Sequence, residues 1–190
     1  MKQMLRPLTV LFMLLTALTG VVYPLIVTGI GRIAFPDQAS GSLVVRDHKV
    51  VGSALISQSF QDPKYFWGRL SATTPMPNNA TASGGSNFGP TNPALLDAVR
   101  TRIAALKVAD PGNTLPIPVD LVTASASGLD PDITPAAALY QVARVARVRR
   151  LDPAKLRERV LAQVREPQWG IFGESRVNVL LLNLSLEGVQ

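Results

Sequence analysis

Residues 7–31 form a stretch of 25 positions without a charge, bounded by Arg6 and Arg32 and rich in Leu, Val and Ile. Nothing else in the chain limits its fold as much. A helix of that length rises about 37 Å at about 1.5 Å per residue, against a hydrocarbon core about 30 Å thick, so it crosses a bilayer with some tilt. Pro24 is expected to kink it near the far end. A cleaved leader is the competing reading, because Lys2 and Arg6 precede the apolar run and Ala17-Leu18-Thr19 loosely matches a small-residue cleavage site. A leader's apolar region covers about 7 to 15 residues, and this one continues well past that without a break. Within the span, Thr9, Thr16 and Gly20 fall on a narrow arc at about 100° per residue, a candidate docking stripe because small residues let helix backbones approach closely.

The expected organisation is a tail at 1–6, a transmembrane helix at 7–31 and a domain at 32–190. Lys2 and Arg6 flank one end of the span, but Arg32, Arg46 and Lys49 lie near the other, so the positive-inside count does not decide orientation. A very short tail before a long domain fits an N-terminus in the cytoplasm and a domain on the periplasmic side, since long domains translocate largely regardless of charge. Beyond Arg6 the chain has 17 basic residues against 13 acidic ones. That excess is mild and concentrated between Arg144 and Arg165, so it does not by itself indicate nucleic acid. Zero cysteines exclude a disulfide framework and any thiolate nucleophile or metal ligand.

Two β-branched runs, 43–45 and 50–56, flank Arg46-Asp47-His48-Lys49 and read as a hairpin with a polar turn. Residues 64–70 are aromatic at Tyr65, Phe66 and Trp67. From 71 to 91 nearly every residue is Ser, Thr, Asn, Gly, Pro or Ala, a stretch far longer than typical connections and so either a functional loop or a mobile one. Three helices follow, each opened by an oxygen-bearing cap before a proline: Asn92-Pro93, Thr134-Pro135 and Asp152-Pro153. Helical spacing expects 93–107 to bury Leu95, Leu96, Val99, Ile103 and Leu106, 136–150 to bury Leu139, Val142, Ala143 and Ala146, and 154–166 to bury Leu156, Val160 and Val164. Residues 119–123 and 177–186 read as strands, the second apolar on both faces and therefore interior. The fold class is α+β, a small sheet covered by helices behind a single span.

Enzyme chemistry finds little support in the motifs. There is no phosphate-binding loop, no dinucleotide fingerprint and no phosphorylation motif. The one histidine, His48, falls in the hairpin turn, where an ordinary exposed residue is the better reading than a triad member or metal ligand. Asp130 and Asp132 are close enough to share proton transfer or hold a hard cation, but both precede the cap Thr134, where acids favour a helix N-terminus. Gly84, Gly85, Ser86 and Asn87 have the composition of a backbone nest for an anion and equally of a plain loop tip. Tyr140, Arg144 and Arg147 fall on one helical face at i, i+4, i+7, where a partner's carboxylates could dock or where the domain's own acids could pair.

Taken in order, Gly52-Ser53-Ala54-Leu55-Ile56 with Gln58 and Phe60, Tyr65-Phe66-Trp67-Gly68-Arg69 and Ser83-Gly84-Gly85-Ser86-Asn87 form one ordered set with Ser127-Gly128-Leu129-Asp130-Pro131, Gln141 with Arg144-Val145-Ala146, and Val177-Asn178-Val179-Leu180 with Asn183. This set resembles the motifs of the KdpC family, the C subunits of Kdp-type potassium-transporting ATPases, over almost the whole chain. Departures are Leu70 where the family usually has proline, Asp132 where it has histidine and Thr134 where it has serine. The missing histidine counts against proton transfer or metal ligation at this turn.

The resemblance implies an accessory subunit, without catalytic motifs or cofactor of its own, in a high-affinity potassium uptake complex of the bacterial inner membrane. Its partners there are a channel-like potassium-binding subunit, a P-type ATPase subunit that hydrolyses ATP, and a small peptide subunit. K+ would be handled by the first and ATP by the second. The family's C subunit is described as stabilising the complex and as a catalytic chaperone that raises the ATPase subunit's affinity for ATP. A domain outside the cytoplasm cannot touch cytoplasmic ATP, so any such effect is expected to pass through the membrane subunits. The alternatives are a direct nucleotide-binding subunit, motivated by the loop at Ser83 to Asn87, and an independent periplasmic binding protein.

Overall fold

A computed structural model describes residues 2–187; Met1 of the expected tail and residues 188–190 of the expected domain lie outside that range. The fold is α+β, with one N-terminal apolar helical run and two small two-stranded sheets among helices. The chain divides after Val51 into two compact units.

In the first unit, α1 (Lys2–Ala17) and α2 (Tyr23–Ala34) are joined by a wide π-type turn, Leu18–Val22. Residues Met4–Ala34 are long and apolar enough to cross a membrane. The sequence places a proline at 24, whose ring crowds the carbonyl four residues back and which has no N–H to give. The structure answers with the wide turn just before it, where the Tyr23 N–H reaches back to the Leu18 carbonyl. The Thr9 hydroxyl donates to the Leu5 carbonyl at 2.8 Å and that of Thr19 to Leu15 at 2.7 Å, so both are satisfied inside the helix. A short helix, α3 (Pro36–Ala39), follows. The hairpin then forms from β1 (Leu43–Arg46) and β2 (Lys49–Ser53), with Asp47 and His48 exposed in its turn at φ +48° and +61°.

In the second unit, the polar stretch 71–91 is a folded loop pinned by its own side chains. The Thr73 hydroxyl donates to the Met76 carbonyl at 2.8 Å, and buried Asn79 caps the 3-10 turn Ala80–Ala82 by accepting the Thr81 N–H. The three cap-proline signals all start helices. Asn92 caps α4 (Pro93–Ala109), Thr134 caps α5 (Pro135–Tyr140) and Asp152 caps α7 (Pro153–Ala162), each side chain accepting a first-turn N–H.

Several expectations need correction. The helix expected over 136–150 tightens at Gln141 into α5 and α6 (Val142–Arg149). Its buried face is turned from the expected one: Val142 and Ala146 are inside, Ala143 is exposed, and Val145 and Arg144 are buried. On α4 only Leu106 is fully buried and Leu96 is half exposed. Residues 119–123 form a 3-10 turn, Val119–Leu121, because the N–H groups of Val122 and Thr123 both return to the Val119 carbonyl and leave no ladder partners. The run 177–186 is a strand for two residues only. After β4 (Val177–Asn178), which pairs antiparallel with β3 (Asp132–Ile133), the Asn178 side chain accepts the Leu181 N–H and opens α8 (Val179–Ser185). A run apolar on all sides satisfies a buried helix as well as a buried strand, and the cap decides for the helix. The core gathers Phe66, Leu121, Val145, Val160, Leu182 and Leu186.

Candidate functional site

The motif segments converge in the second unit, in two clusters. In the first, the Tyr65-Phe66-Trp67 segment runs through the core with no strand beside it. Backbone groups buried there need partners. Two helices supply them with side-chain amides. Asn183 on α8 accepts the Phe66 N–H at 2.8 Å and donates to the Phe66 carbonyl at 2.9 Å. Gln141, between α5 and α6, does the same for Trp67 at 2.8 and 3.0 Å. Each amide thus gives the aromatic segment the paired donor and acceptor that a neighbouring strand would have given.

Arg144 completes this clamp. It is 2% exposed and its guanidinium lies 4.6 Å from the Trp67 ring centroid, with that of Arg102 at 5.0 Å. It donates to the carbonyls of Pro63 and Tyr65 and to Gln141 Oε1, the last at 2.6 Å. Burial lowers its pKa to about 10, which leaves it charged at neutral pH. The expectation that Tyr140, Arg144 and Arg147 present one docking face therefore fails at Arg144, which points inward, and at Tyr140, which is buried. Arg147 pairs with buried Asp110 at 2.8 Å, so of the two readings of this position it is pairing with the domain's own acid that is found.

The second cluster brings together the segments around Gly84 and Asp130. The Gly84 N–H donates to the Ser127 carbonyl at 2.9 Å, and the Ser83 hydroxyl reaches the same oxygen at 3.0 Å. A Cβ on Gly85 would lie 2.7 Å from the Ala126 carbonyl oxygen, so glycine there permits the two segments to touch. Gly128 has φ +69°, and a Cβ on it would meet Thr73 at 2.5 Å and the Gly84 carbonyl oxygen at 2.8 Å. Gly84 and Gly85 are not in the left-handed region and the Gly84 N–H is occupied, so no anion nest forms at this pair; Asn87, at φ +52°, is the one left-handed residue of the tetrad. Its neighbour Ser86 is half-buried.

Asp130 accepts from Arg69 at 2.9 Å and, through its other oxygen, takes the Asp132 N–H at 3.0 Å. Arg69 also reaches the Ala124 carbonyl at 3.3 Å. Asp132 pairs with Arg176 at 3.1 Å and accepts from Asn178 at 3.2 Å, yet burial, the largest influence, pushes its carboxyl above the usual range. Neither aspartate precedes α5 as a free acid; the acid that meets the cap is Asp120, which accepts the Thr134 N–H at 2.8 Å. A cleft of about 210 Å³ lies here, lined by Arg69, Asp120, Asp130, Asp132, Glu174 and Arg176 among others. Among the described residues no group of three or more His, Cys, Asp or Glu side chains is placed to hold a metal ion.

Thr9, Thr16 and Gly20 lie exposed on the N-terminal helical run, Gly20 inside the wide turn. The residues that reasoning from sequence passed over as determinants are Gln141 and Asn183, whose amides do the clamping, and Arg102, the second cation on Trp67. The signal for the first two was present: an Asn and a Gln in apolar helical surroundings need buried partners.

Comparison with known proteins is consistent along the full length. The family model described as KdpC, the c chain of K+-transporting ATPases, matches residues 5–188. Proteins described as the potassium-transporting ATPase KdpC subunit are similar throughout. That of Dechloromonas aromatica (strain RCB) is 64% identical over 189 residues, 100% of this chain and 99% of the relative. Those of Polaromonas naphthalenivorans (strain CJ2) and Variovorax paradoxus (strain S110) are each 63% identical, over 100% and 98% of this chain and 97% of either relative.

Proposed function

The chain belongs to the KdpC family, the c chains of K+-transporting ATPases, and from that premise we propose that it is a non-catalytic accessory subunit that stabilises assembly of the transporter. The observation that carries this reading is that the family's motif residues are engaged with one another. Gln141 and Asn183 hold the aromatic segment, Arg144 is closed over Trp67, and the Gly84 and Asp130 segments are bonded together. Residues so engaged hold the interior of the domain together, and none of them is a nucleophile activated by a base.

In this reading the N-terminal helix packs beside the transport subunits, with Thr9, Thr16 and Gly20 as its closest approach. The folded part lies on the periplasmic side and covers the outer face of the channel-like, potassium-binding subunit. The P-type ATPase subunit and the small peptide subunit are its further partners. K+ and ATP are handled by the partner subunits, and any gain in ATP affinity reaches the ATPase subunit through the membrane helices. The occupied Gly84 N–H supports this over direct nucleotide binding, which would need that donor for phosphate.

The test is to purify the transporter with and without this chain. Loss of assembly or of potassium-stimulated ATP hydrolysis is expected without it; normal assembly and activity would refute the role.

A further inference from the structure

Between α7 and β4 the chain makes a finger whose tip neither motif cluster uses; its base meets the second cluster at Arg176. Its base is a pair of reciprocal backbone bonds between Arg165 and Arg176, at 2.8 and 3.0 Å, and a second pair joins Gln168 and Phe172, at 2.8 and 3.0 Å. Ser175 donates to Glu166 at 2.6 Å across the stalk. Trp169 at φ +56° and Gly170 at φ +74° turn the tip, and the Trp169 and Phe172 rings meet edge to face with centroids 5.9 Å apart. Arg176 fastens the base to β3 through Asp132. The finger is therefore held out by its own bonds, with Trp169 80%, Ile171 78% and Phe172 61% exposed.

We infer that this finger is a second membrane contact, its Trp169, Ile171 and Phe172 tip seated in the headgroup zone of a lipid bilayer. Polarity is graded along its length. Charged residues stand only at the base, two of each sign (Arg165 and Arg176, Glu166 and Glu174), and residues 167–173 carry none. That gradient follows the one from water to hydrocarbon, and an indole and a phenyl ring above a charge-balanced stalk are the side chains that settle at such a boundary. A balanced base offers no patch for a partner of either sign. The inference rests on the reading of residues 4–34 as an anchor.

The experiment uses the full chain in vesicles of phosphatidylcholine brominated along its acyl chains. The chain has two tryptophans, neither in the apolar helix, and Trp67 is 6% exposed, so the difference between the native protein and Trp169→Phe reports the tip. Brominated lipid is expected to remove about half of the Trp169 emission and leave that of Trp67 nearly intact. Protein that floats with the vesicles while Trp169 goes unquenched would overturn the finger contact; protein that does not float would overturn the anchor beneath it. Because the chain has no cysteine, an Ile171→Cys variant carries one fluorophore into the assembled transporter. Quenching there by lipid-borne quenchers supports the inference. A blue-shifted label shielded from them would assign the tip to a partner protein and overturn it.

Discussion

The two tryptophans of this chain occupy opposite situations. Trp67 is enclosed in the core with two guanidinium groups within about 5 Å of its ring and both its backbone groups answered by one glutamine. Trp169 stands at the end of a hairpin with little but Phe172 against it. Sequence composition treats them alike. The difference is one of solvent: around Trp67 every unpaired polar group is costly, so residues there are tied together, whereas Trp169 leaves its apolar area unused by the fold and available to something outside it.

Substitutions break or sharpen this contrast, read as urea midpoints of the full chain in detergent. Trp67→Ala is expected to have the largest effect, about 3 to 5 kcal/mol, because it opens a cavity and strips the buried Arg144 and the half-buried Arg102 of an aromatic face. Gln141→Ala follows at about 2 to 4 kcal/mol, since it leaves the Trp67 N–H and carbonyl and one Arg144 donor unanswered in the core.

The third test lies at the foot of the finger. Burial raises the pKa of Asp132, so its ionised form is disfavoured in the folded chain relative to the unfolded one. The penalty is absent below the ordinary carboxylate value and complete above the raised one. Asp132→Asn should therefore match the native chain in acid and gain on it as pH rises through that window; a gap that stays constant with pH would refute the assignment. Trp169→Ala should change stability least, by under about 0.5 kcal/mol, and a loss like that at Trp67 would erase the contrast.

Local chemistry was the legible part of this sequence. Three helix starts could be read because a cap and a proline act within one turn, and the apolar N-terminal helix because its length alone is decisive. The family's motifs were legible as a set, while their purpose was not. Nothing in the spacing of Tyr140, Arg144 and Arg147 tells which side of the helix meets the core, and the tightening at Gln141 that turns Arg144 inward comes from tertiary contacts with residues more than 70 positions away. The run 177–186 failed for a related reason. Uniform apolarity carries no period, so only the Asn178 cap separates helix from strand there. The finger had a signal that went unused, aromatic residues alternating with glycine in Trp169-Gly170-Ile171-Phe172-Gly173.

The wide turn ahead of Pro24 has a geometric consequence for anything that lies alongside the N-terminal helix. A π-type turn amounts to one surplus residue in an otherwise regular coil, so the faces of α1 and α2 are out of phase with each other. Deleting a single residue at 18–22 would rotate the distal half by about 100° relative to the proximal half, swapping which side chains a neighbouring helix meets while leaving composition and hydrophobicity almost untouched.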